Sequence, residues 1–105
     1  MGKRQSRELA SRLVVLVMHL LKWGYQPTRR SPSWQRTIRE QRRQLARLLI
    51  VHPSLRPRLP VLLAESYPQA CARALDETGL PATALPYTCP WIVTQILDNE
   101  FWPEV

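Results

Sequence analysis

The chain has 105 residues, a number that fits one small domain, and 45% of them are hydrophobic, enough to build a packed core. Its formal net charge of +7 points to acidic partners: nucleic acid, an anionic membrane or an acidic protein. Two cysteines, Cys71 and Cys89, are too few for a disulfide scaffold and read as reduced thiols of a cytoplasmic protein.

Lys3, Arg4 and Arg7 precede an apolar run, LVVLVMHLL at residues 13–21, in the manner of a signal peptide. Glu8 and Arg12 interrupt that approach and no small-residue cleavage site follows, so the run is read as part of the fold. It is also far short of the roughly 20 residues that span a bilayer. A first helix is expected over about Ser6 to Trp23, with Leu9, Leu13, Leu16, Leu20 and Trp23 on one face. Val14, Val17, Met18 and Leu21 widen the stripe to roughly 200° of arc, which suits the centre of a bundle. Gly24 then supplies a C-terminal stop.

The linker from Tyr25 to Pro32 is rich in turn formers and arginine. Ser31-Pro32 has the form of an N-cap followed by proline at the first helical position. A second helix follows over about Ser33 to Val51. Trp34, Ile38, Leu45, Leu48 and Leu49 make its apolar side, and Trp34 is expected in the core. Arg36, Arg39, Arg43 and Arg47 fall within roughly 80° of each other on the opposite side. His52-Pro53 ends this helix.

A third helical region spans about Pro57 to Thr78, in register through Leu59, Leu62, Leu63, Ala70, Cys71, Ala74 and Leu75. Pro68 predicts a kink or a break into two short helices, and Gly79 caps the end. A proline-punctuated loop at residues 80–90 leads to a short helix over about Ile92 to Leu97. The tail Phe101-Trp102-Pro103 packs back on the core. No strand-period segment and no internal repeat is present, so the fold class is all-α: a single bundle-like helical domain over residues 1–105, of four to five helices, the third region kinked at proline.

Charge divides the chain in two. Residues 29–58 hold nine arginines against the single acid Glu40, and residues 59–105 hold six acids against the single Arg73. The arginine face of the second helix, with Arg29, Arg30 and Tyr25 in the linker, is therefore the expected binding surface. A helix with four arginines on one side can follow a nucleic-acid backbone, and an aromatic beside arginine can stack on a base. It can equally be a solvated face, and no helix-turn-helix, RNA-recognition or zinc-finger pattern is present.

His19 and Lys22 lie close together on the polar strip of the first helix and make a second polar candidate with Tyr25 and Arg29. A histidine beside a lysine has its charged form disfavoured, which suits a neutral base. The competing reading is a structural histidine bonded to backbone, since no carboxylate or nucleophile stands at a recognisable spacing. His19, His52, Cys71 and Cys89 match zinc ligands by type but lack the close ligand pairs of zinc sites. Phosphate loops, paired catalytic carboxylates and nucleophile elbows are absent, so neither enzyme chemistry nor a cofactor or metal is expected.

The run SRLVVLVMHLLKWGYQPTRRSPSWQRTIREQRRQLARLL, with HPSLRPRLPVLLAESYPQACARALDETGLP and CPWIVTQILDNEFWPE further on, resembles the bacterial domain-of-unknown-function family numbered twenty-nine. The matching positions are His19, Lys22, Trp23, Tyr25, Gln26, Pro27, Arg30, Ser31, Ser33, Trp34, Ile38 and Arg42. The resemblance implies a small all-helical domain and transfers no activity, cofactor or catalytic residue. Members of the family usually carry a further N-terminal segment, so the resemblance also implies an uncovered arc on the first helix. A symmetric homodimer burying Val14, Val17, Met18 or Leu21 would cover it.

The leading functional reading is a non-enzymatic protein-interaction module that docks an acidic protein partner, or a second copy's acidic half, through the arginine face. The alternative is a nucleic-acid-associated accessory protein of a mobile-element or toxin–antitoxin context.

Overall fold

A computed structural model describes residues 3–104. Four α-helices follow one another: α1 over Lys3–Tyr25, α2 over Pro32–Val51, α3 over Leu59–Thr78 and α4 over Val93–Leu97. Short 3-10 turns at Pro27–Arg29, Pro53–Arg58 and Ala82–Ala84 connect them. No strand occurs among the described residues, and no helix among them is long and apolar enough to cross a membrane.

The broad apolar arc of α1 decides the arrangement. Leu9, Leu13, Leu16, Val17, Leu20 and Leu21 are all buried, and α1 lies against both α2 and α3. A helix apolar over more than half its circumference must be covered on two sides, and here those two helices do it. Each fully buried leucine contributes roughly 1.5–3 kcal/mol of transfer free energy, so α1 carries the largest share of the core.

Val14, Val17, Met18 and Leu21 are buried within the single chain. The expected symmetric dimer through this arc is thereby corrected: α2 and α3 already exclude water from it.

Ser31 caps α2 as the sequence predicts, its Oγ accepting from the Trp34 N–H at 3.2 Å, with Pro32 at the first helical position. Removing that acceptor by Ser31→Ala is expected to cost about 1 kcal/mol. In a thermal melt this lowers the midpoint by roughly 4–8 °C, and an unchanged midpoint would mean that Pro32 alone sets the helix start. The other end of α2 stops at His52, whose N–H reaches the Leu48 carbonyl before Pro53.

Two local expectations are revised and one, at Pro68, is narrowed. Gly24 does not stop α1: the helix continues to Tyr25, Gly24 is buried in its last turn, and Gly79 alone among the described residues has a positive φ. The stop comes from Pro27, which disfavours helical backbone at Gln26. α3 carries Pro68 inside it without breaking into two helices. The carbonyl deprived of its donor belongs to Ala64, which is exposed, so water replaces the missing bond. Trp34 is half-buried outside the core cluster and lies 4.8 Å from the Lys22 ammonium. α3 ends at Gly79, whose φ of 73° is the left-handed cap a glycine adopts without strain.

Candidate functional site: the outer face of the second helix

α2 is amphipathic in a way that fixes where its arginines point. Ile38, Leu45, Leu48 and Leu49 are buried, which turns the opposite side outward. Arg36, Arg39, Arg43 and Arg47 are all exposed there. Glu40 is the one acid beside them. It accepts from Arg43 at 2.9 Å and from Gln44 at 2.8 Å, and these hydrogen bonds hold its carboxyl below the usual carboxylate range. Arg39 lies 5.5 Å from the centre of the Trp102 ring, a cation–π separation that orients it along the helix surface.

The row does not end in charge. Ile50 stands three residues past Arg47 on the same strip, and Val51 follows it. These side chains are 77% and 62% exposed, among the most open large apolar groups of the chain. The apolar tip was not singled out from the sequence, where Ile50 and Val51 merge with Leu48 and Leu49 into one hydrophobic run. The helical register separates the two inward residues from the two outward ones.

The linker residues divide. Arg29 is exposed beside the row's start, while Tyr25 is half-buried against the core. Arg30 is turned inward: its Nε donates to the Trp23 carbonyl at 2.8 Å and its Nη2 to the Pro103 carbonyl at 3.3 Å. It thereby ties the end of α1 to the C-terminal tail, and its guanidinium lies 5.0 Å from the Trp23 ring. Trp23 in turn meets Trp102 with ring centroids 4.8 Å apart.

Arg42 does the same more deeply. It is 2% exposed, its Nε donates to the Ile96 carbonyl and its Nη2 to the Phe101 carbonyl, each at 2.8 Å. Its Nη1 has no hydrogen-bond partner, and the Trp102 ring lies 5.5 Å from the guanidinium carbon. Burial pushes its pKa down to about 10, with Asp98 opposing, so it stays charged at neutral pH. The sequence held a signal for this: Arg42 stands four residues after Ile38 and three before Leu45, inside the apolar register.

His19 and Lys22 are also bound into the fold. His19 Nδ1 pairs with the Val15 carbonyl at 2.8 Å. Burial chiefly, and Lys22 in addition, lower its pKa below the ordinary histidine value, against the opposing pull of the Val15 hydrogen bond and of Glu77. Lys22 is 6% exposed, and its ammonium meets Glu77 of α3 at 2.5 Å under the Trp34 ring. That hydrogen bond is the main reason the Glu77 carboxyl lies below its usual range. Glu77 lies 55 positions along the chain, and no local pattern pairs it with Lys22. Among the described residues no group of three or more His, Cys, Asp and Glu side chains is placed to hold a metal ion.

A second surface feature lies away from α2. α3 and the loop leading to α4 enclose an open groove of about 1120 Å³, walled by apolar side chains and both cysteines. Tyr67 crosses its floor, donating to the Pro86 carbonyl at 2.7 Å, and burial with the neighbouring Cys71 thiol raises its phenol pKa. Burial likewise raises the Cys89 thiol, against the lowering effect of its bond to the Trp91 carbonyl. The groove depends on how the proline loop folds over α3, and that placement has no periodic signature.

A family model described as Domain of unknown function DUF29 matches residues 1–102. No curated protein and no solved structure matches the chain.

Proposed function

The chain belongs to the DUF29 family, and we propose that it works as a non-enzymatic protein-interaction module docking an acidic partner through the outer face of α2. The observation that carries this reading is the row Arg36, Arg39, Arg43 and Arg47 ending in the exposed Ile50 and Val51. Guanidinium groups pair with carboxylates in bidentate fashion and steer encounter over a Debye length of about 8–10 Å. The apolar tip adds short-range affinity that a phosphate backbone does not reward. Acidic protein surface with an apolar recess is the chemistry that meets both.

Arg30, Arg42, His19 and Lys22 are engaged by carbonyls or by Glu77, so this reading assigns them to stability, not to binding. It sets the protein in the cytoplasm, with both thiols free.

Fluorescence anisotropy of a labelled glutamate–leucine peptide, beside labelled duplex DNA and single-stranded RNA, tests the proposal. The peptide is expected to bind, to weaken as salt rises, and to be lost with Arg36→Ala/Arg39→Ala/Arg43→Ala. Ile50→Ser/Val51→Ser is expected to weaken the peptide about tenfold, or roughly 1.4 kcal/mol, through loss of apolar contact. Nucleic acid bound more tightly than the peptide, and unaffected by the Ile50/Val51 variant, would overturn the reading in favour of a nucleic-acid accessory role.

A further inference from the structure

The groove between α3 and the loop before α4 has walls without a single charged side chain. Two large apolar groups stand open at it: Tyr87, 98% exposed, and Ile92, 65% exposed. Acidic side chains stand on the flank of α3 next to it. Ala64 and Leu75 line the groove, and Glu65 and Asp76, each one residue further on, sit about 100° around the helix and are exposed. Arg73, the sole basic residue of positions 59–105, lies further round the helix still, three positions before Asp76.

The groove is thus the converse of the α2 face. One surface offers arginines and an apolar tip; the other offers carboxylates and an apolar recess. Both are exposed in the single chain, where Glu40 is the one acid among the described residues that pairs with the arginine row. Arg56 and Arg58 are exposed in the turn that runs from α2 towards Pro60 at the near end of the groove. The charge division of the sequence, nine arginines against one acid and then six acids against one arginine, makes the two surfaces attract over a distance.

We propose that the groove receives the Ile50–Val51 tip of a second copy of this chain, with Arg47 and its neighbours facing Glu65 and Asp76. The proposal rests on the reading of the α2 face as a docking surface and names its partner. It is a heterologous contact, since one patch meets a different patch on the next copy. It differs from a symmetric dimer through α1, whose apolar arc is already buried. Two apolar side chains inserted into a largely apolar recess supply the short-range affinity, and the charges set orientation and on-rate.

Sedimentation velocity from low to high micromolar concentration tests it with two complementary variants. Ile50→Ser/Val51→Ser loses the tip and keeps the groove; Glu65→Arg/Asp76→Arg loses the acidic flank and keeps the tip. All four positions are exposed, and circular dichroism verifies that each variant folds. The wild type is expected to gain mass with concentration, more so at low salt. Each variant alone is expected to dissociate about tenfold more readily. Mixing them pairs an intact groove with an intact tip and is expected to restore association with one-to-one stoichiometry. A wild type that stays monomeric at low salt overturns the proposal. If it does so while still binding the glutamate–leucine peptide, the α2 reading stands and the second copy falls. Equal association of wild type and both variants also overturns it, because the contact then lies elsewhere.

Discussion

Arg42→Met is expected to destabilise the protein by about 3 kcal/mol, the largest effect of any charged-to-neutral substitution considered in this chain. Methionine fills most of the volume and carries no donor. The carbonyls of Ile96 and Phe101, each held at 2.8 Å by the guanidinium, lose their partners in a region from which the arginine itself is 98% shielded. A buried carbonyl left without a donor costs roughly 1–3 kcal/mol; the bond to Ile96 is buried and the one to Phe101 partly so. The loss is concentrated in the tail, because Arg42 joins α2 to α4 and to the Phe101-Trp102-Pro103 segment. In a domain of this length 3 kcal/mol corresponds to a fall in melting midpoint of roughly 12–24 °C. Arg43→Met, one residue on but exposed and paired to Glu40 alone, is expected to change stability by less than about 0.5 kcal/mol. Equal melting midpoints for the two variants would remove Arg42 from the account of how the tail is held.

Glu77→Gln is expected to cost about 1–2 kcal/mol at neutral pH. Lys22 is 6% exposed, and losing its counter-charge leaves an ammonium that water reaches poorly. The carboxylate is half-exposed, so the loss falls well short of the 3–5 kcal/mol of a fully buried pair. The pH dependence has a definite sign. The folded-state pKa of Glu77 is lowered, first by the Lys22 hydrogen bond, so its stabilisation is full above the unfolded pKa and disappears as pH falls through the folded value. His19 acts in the same direction: its lowered pKa makes protonation easier in the unfolded chain, and stability drops as pH falls below the ordinary histidine value. Melting midpoints of wild type and Glu77→Gln, followed from neutral to about pH 3, are expected to converge as the carboxylate is protonated. A gap that stays constant with pH would show that the variant acts by packing and not by charge.

These two predictions concern residues that the sequence displays unequally. The helices were legible because apolar residues recur at helical spacing and because Ser31-Pro32, His52-Pro53 and Gly79 punctuate them with known backbone chemistry. The outward row Arg36, Arg39, Arg43 and Arg47 was legible for the same reason: periodicity assigns both faces of a helix at once. Gly24 misled, since it was weighed as a local breaker without the burial of the last turn of α1, and Pro68 left a kink and a break open, of which the continuous α3 excludes the break. Arg42 was visible in principle as an arginine within the apolar register. Its meaning depends on Ile96 and Phe101, which lie more than 50 positions away. The same distance hides Glu77 from Lys22. Contacts between elements are a property of packing, and one sequence read along its length carries little of it.

Several residues that mark the family resemblance therefore serve construction. Lys22, Trp23, Arg30 and Arg42 bind helix to helix and tail to helix. The surface proposed to act outward is instead the exposed side of α2. Nuclear magnetic resonance of the amide-labelled protein, titrated with the glutamate–leucine peptide, separates these two sets residue by residue. Shift changes are expected along Arg36, Arg39, Arg43, Arg47, Ile50 and Val51, with His19, Lys22 and Arg30 unmoved. Changes centred on His19, Lys22 and Tyr25, or none at saturating peptide, would contradict the assignment of docking to the outer face of α2.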